Sequence, residues 1–168
     1  MRTLLLFLFL ELFLTLKAQE PTLGQLVNVY SNQYQKFKIG NFSFTCKPYG
    51  VITLGMLQKQ ALLNSECKSA ISEFYKRAPK GKYYAQRVLK VKQFYSLEFK
   101  ESECLVYSNG QKTFSESLLE EGLALLEPKF KDNEFKASFY YAQENAKLNQ
   151  NGVWKENILR KCVVELYK

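Results

Sequence analysis

The fold is decided by residues 107–124, which read YSNGQKTFSESLLEEGLA. Within them, Asn109 and Gly110 follow an apolar run and have the composition of a tight hairpin turn. Thr113 and Glu116 have the spacing of a capping box, in which each side chain hydrogen-bonds the backbone N–H of the other residue. Gly122 stands where a helix ends on a left-handed residue. This stretch therefore predicts a strand, a turn and a short helix.

A longer helix is predicted on the C-terminal side of this stretch. Asp132 or Asn133 can cap its first turn, and Asn151 followed by Gly152 can end it. Four apolar residues recur at helical spacing between these limits: Phe135, Phe139, Ala142 and Ala146. We interpret this stripe as core packing rather than as a cofactor site.

Strands predominate on the N-terminal side. Residues 25–54 alternate between apolar and polar positions, which is typical of strands. Asn64 or Ser65 can cap a helix that ends before Pro79, and residues 88–99 return to a β-rich composition. The order strands, helix, strands, helix, helix predicts an α+β domain with a small barrel.

Residues 1–18 have the features of a secretory signal peptide. Arg2 supplies the positive start, and residues 4–16 are apolar except at two positions. That run is shorter than the roughly 20 apolar residues that span a bilayer. We expect cleavage after Ala18, and the alternative is an uncleaved segment that tethers the chain to a membrane.

The composition excludes several classes of enzyme. The chain has 168 residues, no His and a single Asp, which is Asp132. Without His there is neither a Ser–His or Cys–His nucleophile pair nor a His-containing zinc site. With one Asp there is no cluster of aspartates for calcium or magnesium. Most familiar hydrolase chemistries are therefore excluded.

The four cysteines have spacings that match no metal-binding knuckle: Cys46, Cys67, Cys104 and Cys162. An even number in an exported chain predicts two disulfides, each stabilising the fold by ~2–4 kcal/mol. The spacing leaves all three pairings open. A reactive thiol at Cys46 is the alternative, but the chain has no His to activate it.

Several separated motifs resemble the C-terminal half of the thermonuclease (staphylococcal-nuclease-like) family. They are residues 107–110, 116–124 and 152–154, with Ala142 and Ala146 between the last two. The resemblance implies an α+β fold, a five-stranded OB-type β-barrel with three helices. It divides the chain into a signal peptide at residues 1–18, a staphylococcal-nuclease-like domain at residues 19–156 and a C-terminal extension at residues 157–168.

The family fold also bears on the cysteines and on the extension. It would place Cys46 and Cys104 on neighbouring strands, which leaves Cys67 to pair with Cys162. An equally simple alternative pairs Cys46 with Cys67 and Cys104 with Cys162. Two roles are open for the apolar extension: packing as an extra helix or strand pinned by Cys162, or presenting an apolar face to a partner.

The family's catalytic positions differ in this chain. Active members carry acidic ligands for calcium, two Arg that hold the phosphate, and a Glu usually drawn as the base. The resemblance places those roles at five positions: Asn32, Cys46, Val51 (or Ile52), Leu54 (or Gly55) and Glu101 (or Lys100). All five are replaced. We therefore predict a degenerate site with no catalytic residue, no metal and no cofactor.

The basic residues suggest a second kind of site. The formal net charge is +8. The candidate nucleic-acid contacts are Lys36, Lys38, Arg87, Lys90 and Lys92. The alternative is an ordinary solvated surface, because Lys greatly outnumbers Arg, the usual bidentate reader of phosphate.

Together these features predict an exported, disulfide-stapled nuclease-like domain that is catalytically inactive and serves as a binding or assembly module in the cell envelope. The expected location is periplasmic or secreted, and the expected partner is an envelope protein. Nucleic acid is a second candidate partner, and membrane contact is expected only if the signal segment stays uncleaved. The alternative functions are a nucleic-acid-binding protein and a weak metal-dependent nuclease.

Overall fold

The computed structural model describes residues 21–60 and 63–166. The predicted signal peptide, residues 1–18, lies outside the described residues. Within them, no helix is both long enough and apolar enough to span a membrane.

The described chain opens with an antiparallel meander of three strands: β1 Thr22–Val29, β2 Gln35–Ile39 and β3 Phe42–Cys46. Side chains on β2 alternate between the two faces of the sheet, as the strand period requires. Gln35 and Phe37 are fully buried, whereas Lys36 and Lys38 lie on the outer face. Gly40 has a φ of +56°, which lets the chain turn tightly between β2 and β3.

The sheet continues on the other side of β1. There the strands are β5 Phe94–Lys100, β6 Glu103–Asn109 and β7 Lys112–Thr113. The strand order is β3-β2-β1-β5-β6-β7, and every neighbouring pair is antiparallel. Two short strands form a separate antiparallel pair: β4 Val51–Thr53 and β8 Ala124–Leu126.

The main sheet curls until the chain after β3 meets the start of β6. The Cys104 N–H donates to the Lys47 carbonyl (2.9 Å), and the Tyr49 N–H donates to the Cys104 carbonyl (3.2 Å). Pro48 pairs with Cys104 as an isolated parallel bridge, and a disulfide joins Cys46 to Cys104. We call this join, residues 46–49 with Cys104, the seam. It links the two sides of a sheet whose strands do not close into a barrel.

Seven α-helices cover the described part of the chain: α1 Leu54–Lys59, α2 Ser65–Arg77, α3 Pro79–Lys82, α4 Tyr84–Val88, α5 Phe114–Glu120, α6 Asn133–Leu148 and α7 Asn157–Leu166. A 3-10 turn, Gly152–Lys155, lies between α6 and α7. Helices α5 and α6 pack on each other and against β8. The core lies between them and the inner face of the sheet, with Phe37, Phe114 and Phe139 as its largest fully buried side chains.

The predicted caps and turns are confirmed. Asn64 caps α2 by accepting from the Cys67 N–H, and Asp132 caps α6 by accepting from the Glu134 N–H. Thr113 and Glu116 form the complete capping box at the start of α5. The predicted apolar stripe of α6 is buried at all four positions, Phe135, Phe139, Ala142 and Ala146. These signals were readable because each depends on residues only a few positions apart.

The α+β class is confirmed, but the predicted count of elements was too simple. Eight strands and seven α-helices replace the expected five and three among the described residues, and the barrel is not closed. The prediction of β-structure at residues 88–99 was wrong for the first half of that stretch, since β5 begins only at Phe94. Lys92 adopts a φ of +71° there, and the Lys90 N–H donates to the Tyr95 hydroxyl (2.7 Å). That local turn delays the strand.

The C-terminal extension packs as an extra helix, α7. Its Leu159, Cys162 and Val163 side chains are buried. A disulfide joins Cys162 to Cys67 of α2, with the Cα atoms 5.7 Å apart. Of the pairings left open by the sequence, the structure has Cys46–Cys104 with Cys67–Cys162.

Two glycines allow the end of α5 to cross the end of α6. Gly122 and Gly152 have φ values of +62° and +52°, and their backbones lie against each other. The Val153 N–H donates to the Gly122 carbonyl (3.0 Å), and the Asn151 amide donates to the Glu120 carbonyl (2.8 Å). A Cβ at Gly122 would collide with the Asn151 carbonyl oxygen.

We therefore predict that Gly122→Ala destabilises the chain by about 3 kcal/mol or more, because left-handed strain of about 1–2 kcal/mol adds to a backbone collision. The matched control is Gly110→Ala, since Gly110 has a φ of +60° but open space around its Cβ position. The control should show the strain alone. Urea unfolding of the oxidised proteins measures both, and equal losses in the two variants would contradict the crossing.

Candidate functional site

Cys46, at a position where the resemblance implies an Arg, is fully buried at the end of β3. Its sulfur is bonded to Cys104, and the Cα atoms of the pair are 5.7 Å apart. A disulfide-bonded sulfur is no nucleophile until it is reduced. Cys46 therefore holds the seam together.

The chain after Cys46 is fixed by a carboxylate from β6. Glu103 forms an ion pair with Lys47 and accepts from the Gly50 N–H (3.0 Å). The Tyr49 hydroxyl donates to the Asp132 carboxylate (2.9 Å) at the start of α6. Burial raises the pKa of Tyr49 to about 12, and the hydrogen bond to Asp132 adds to this shift, so the hydroxyl keeps its proton. Residues 47–50 are therefore fixed by Glu103 of β6 and by Asp132 at the start of α6.

Val51 and Leu54 are apolar and have no exposed surface. Val51 pairs with Leu126 in the β4–β8 sheet, and the Leu54 N–H donates to the Leu123 carbonyl (3.1 Å). The positions that the resemblance assigns to an acidic metal ligand and to the base thus carry core packing. Neither side chain has an atom that binds a cation or accepts a proton.

Asn32 is the fourth of these positions, and it is 4% exposed. Its amide nitrogen donates to the Gly81 carbonyl (2.8 Å), and its amide oxygen accepts from the Ala85 N–H (2.8 Å). Both ends of the side chain are therefore used to hold the short helices α3 and α4 against the turn between β1 and β2.

Glu101 is the fifth of these positions. It is exposed in the turn between β5 and β6, where it has a φ of +54°. The neighbouring Lys100 is not free either, because its ammonium forms ion pairs with Glu98 (2.7 Å) and Asp132 (3.6 Å). The structure thus joins Cys46 to β6 but, among the residues it describes, brings these five positions to no common point with acids and Arg.

The residues present do not fit the calcium ion that the resemblance implies. Calcium takes about six to eight oxygen ligands. At the matching positions, the amide oxygen of Asn32 is engaged, and Val51 and Leu54 offer no side-chain oxygen. Among the described residues there is no group of three or more His, Cys, Asp or Glu that could hold a metal.

Three of the predicted nucleic-acid contacts lie on or beside the N-terminal strands. Lys36 and Lys38 share the outer face of β2, and the Lys92 N–H donates to the Leu26 carbonyl (2.8 Å) on the opposite side of β1. Gln25, which pairs with Lys38, donates its amide hydrogen to the Lys92 carbonyl (3.2 Å). Two strand spacings, about 10 Å, therefore separate the backbones of Lys38 and Lys92.

The other two contacts lie nearby along the chain: Arg87 is in the last turn of α4, and Lys90 follows the helix. The Lys90 ammonium donates to the Arg87 carbonyl (2.8 Å), and the Arg87 guanidinium lies 5.5 Å from the Tyr84 ring centroid. Both basic side chains are exposed. The five predicted contacts remain a prediction as contacts, but their placement as two exposed groups is compatible with it.

A cavity of about 530 Å³ that no sequence motif indicates opens beside Asn32. Four separated segments form it: the turn 31–34, residues 53–59, residues 72–76 and residues 79–83. Its wall includes Lys59, Lys76, Lys82 and three tyrosines, Tyr34, Tyr75 and Tyr83. We call it the lysine–tyrosine cavity. Only folding brings these residues together, so no motif could have revealed it.

The comparisons with known proteins agree with this fold. A family model described as staphylococcal nuclease homologue matches residues 64–156, which is more than half of the chain. The match begins at the cap of α2 and ends just before α7. A search of curated proteins finds no match to the chain.

A titration test follows from the contacts of Asp132. Partial burial acts to raise the pKa of this carboxyl, but the Tyr49 hydroxyl, the Glu134 N–H and the Lys100 charge outweigh it and hold the pKa below its ordinary value. A lowered carboxyl pKa stabilises the fold above the ordinary pKa, and the contribution is lost as the pH falls through the folded-state pKa.

We therefore predict that Asp132→Asn unfolds more easily than the wild type at pH 7, by about 0.5–1 kcal/mol, because Asn keeps the cap but loses the charge. The difference should shrink as the pH falls below the ordinary carboxyl pKa of about 4, and it should vanish once the pH is below the lowered folded-state pKa. Glu134→Gln is the control, because Glu134 is exposed and 3.7 Å from the same Lys100. A difference that persists unchanged at pH 3 would contradict this account.

Proposed function

Because the chain belongs to the staphylococcal nuclease family, we propose that it is a family member that no longer cleaves phosphodiester bonds and acts as a binding or assembly module in the cell envelope. One observation carries the proposal. The resemblance places the family's metal ligands, base and first phosphate-binding Arg at four positions whose side chains have structural roles here. Cys46 forms a disulfide, Val51 and Leu54 are buried in the core, and the Asn32 amide is hydrogen-bonded at both its nitrogen and its oxygen.

The energetics favour inactivity over a merely slow enzyme. Removing a single preorganised donor to transition-state charge costs about 2.7–4 kcal/mol in catalysis. Here the groups for metal binding, proton transfer and charge stabilisation are replaced together. Such losses are not additive, but their combined removal leaves little rate enhancement. The side chains that stand at these positions also stabilise the fold, so small shifts of the backbone would not restore a site.

The disulfides support a location outside the cytoplasm. Two disulfides link all four cysteines of the chain. Such bonds persist in oxidising compartments and are rare in a reducing cytosol. Together with the signal peptide expected at residues 1–18, they favour a periplasmic or secreted protein.

A protein partner in the envelope is the first choice of ligand class. Tyr141 and Leu148 lie two turns apart on one face of α6, and they are 67% and 80% exposed. Exposed aromatic and apolar side chains of this kind are enriched at the centres of protein interfaces. The expected outcome of a pull-down from envelope extracts is a partner that Tyr141→Ser with Leu148→Ser releases.

Binding of nucleic acid without cleavage is the second candidate. The observation that favours it is the placement of Lys36 and Lys38 on the outer face of β2, with the backbone of Lys92 about 10 Å away across β1. Binding through such lysines would be dominated by phosphate contacts and would weaken steeply with salt.

We predict that the purified oxidised chain leaves labelled single-stranded and double-stranded DNA intact with calcium, with magnesium and with chelator, because its residues supply neither a metal site nor a base. The measurement is electrophoresis of the labelled DNA after prolonged incubation. Calcium-dependent cleavage that follows the chain through two different chromatographic steps would overturn the proposal.

The same preparations test the second candidate through a salt titration. If the basic surface binds nucleic acid, Lys36→Glu with Lys38→Glu should weaken binding and flatten its salt dependence. Lys131→Glu with Lys136→Glu is the matched control, since these two exposed lysines lie outside the basic groups. No binding at low salt would remove this candidate.

A further inference from the structure

The lysine–tyrosine cavity has the chemistry of a site for an anionic ligand. None of its lining side chains is acidic. Lys76 is engaged by Glu73 on the helix surface (2.6 Å), but Lys59 and Lys82 form no ion pair with any described residue. Unneutralised cations on the wall of a concave site attract negative charge, because no protein carboxylate competes for them.

A buried amide opens into the same cavity without a partner. Gln33 is 7% exposed and lines the cavity, and its side-chain amide makes no hydrogen bond with any residue that the structure describes. Only its backbone is held, by the N–H donating to the Ser31 hydroxyl (3.1 Å). Its amide nitrogen and oxygen reach the open cavity, so they can hydrogen-bond a ligand that carries hydroxyl groups.

A second amide faces the cavity with one free end. Gln58 donates to the Ser72 hydroxyl (2.6 Å), and Ser72 in turn donates to the Lys68 carbonyl (3.1 Å). The carbonyl oxygen of Gln58 has no partner among the described residues. Gln33 and Gln58 thus offer both donors and acceptors, which matches sugar hydroxyls, since each hydroxyl both donates and accepts.

Aromatic side chains form the apolar part of the wall. Tyr34 and Tyr83 are 40% and 50% exposed, so the cavity opens to solvent between partly exposed rings. The Lys82 ammonium lies 5.6 Å from the Tyr83 ring centroid, which keeps a positive charge beside an aromatic face. Flat apolar walls with a few polar groups are typical of small-ligand sites, and about 530 Å³ falls within their usual range of volumes.

We propose that the lysine–tyrosine cavity binds an acidic sugar unit, with Lys59 and Lys82 at its carboxylate and Gln33 and Gln58 at its hydroxyls. The inference rests on the proposed binding role and names a ligand class for it. An anionic glycan in the envelope would present such a unit on a flexible chain. The tyrosine rings would then contact the C–H faces of the sugar.

The test is isothermal titration calorimetry of the full oxidised chain with trigalacturonate, a short oligosaccharide of acidic sugars. We expect binding that Lys82→Glu weakens about tenfold or more, because the substitution places a negative charge at the carboxylate. Gln33→Leu should weaken it by a similar factor. Lys136→Glu is the control for net charge, since Lys136 is exposed on α6 outside the cavity, and it should leave binding within about twofold.

The thermal transition of each variant shows whether it folds. Lys82 is exposed, so Lys82→Glu should fold and still tests the site if Gln33→Leu does not fold. Equal binding of a neutral trisaccharide would overturn the anionic assignment. Binding of hexaglutamate that is tighter than binding of trigalacturonate would overturn the assignment of a sugar ligand and would favour an acidic peptide. Absent trigalacturonate binding, or binding that Lys82→Glu leaves unchanged, would overturn the site.

The two proposals fail separately. A chain that leaves DNA intact but binds no acidic sugar would lose only the ligand assigned to this cavity. A chain that cleaves DNA with calcium would lose the proposed function, whatever it does with trigalacturonate.

Discussion

The backbone of Cys104 joins the two sides of the curled sheet, and the rest of the structure depends on that join. Its N–H donates to Lys47 and its carbonyl accepts from Tyr49, while its sulfur is bonded to Cys46. Once the chain is fixed there, residues 50–54 run directly into β4 and α1. Glu103, the residue before Cys104 on β6, completes the join by accepting from the Gly50 N–H. The seam thus fixes the start of β4, which pairs with β8.

The seam also connects the fold to the chemistry and to the location. Cys46 stands in the seam, and Val51 and Leu54 lie just beyond it, at positions where an active relative is expected to keep charged groups. Sulfur and apolar side chains stabilise this segment by bonding and burial, and they cannot also bind a cation. Because disulfides persist in oxidising compartments, the Cys46–Cys104 bond also suits the chain to a non-cytoplasmic location.

Features could be predicted from the sequence when the interacting residues are close along the chain, and could not when those residues are far apart. The Thr113–Glu116 box and the left-handed Gly122 could be predicted because each signal is local. The partners of Asn32 are the backbones of Gly81 and Ala85, about 50 positions away, so no spacing rule points to them. The lysine–tyrosine cavity was hidden for the same reason. The two disulfide pairings became fixed only once the fold placed the strands and α7.

The central claim is that Cys46, at a position where the resemblance implies an Arg, belongs to the seam that holds the sheet together. Native-state hydrogen exchange of the oxidised chain tests it most directly, because the Cys104 and Tyr49 N–H groups form the seam's hydrogen bonds. The account predicts that these two amides exchange as slowly as the Leu26 N–H, which bonds to the Gln93 carbonyl (2.9 Å) beside the central strand. Exchange at Cys104 and Tyr49 several orders of magnitude faster than at Leu26 would contradict it.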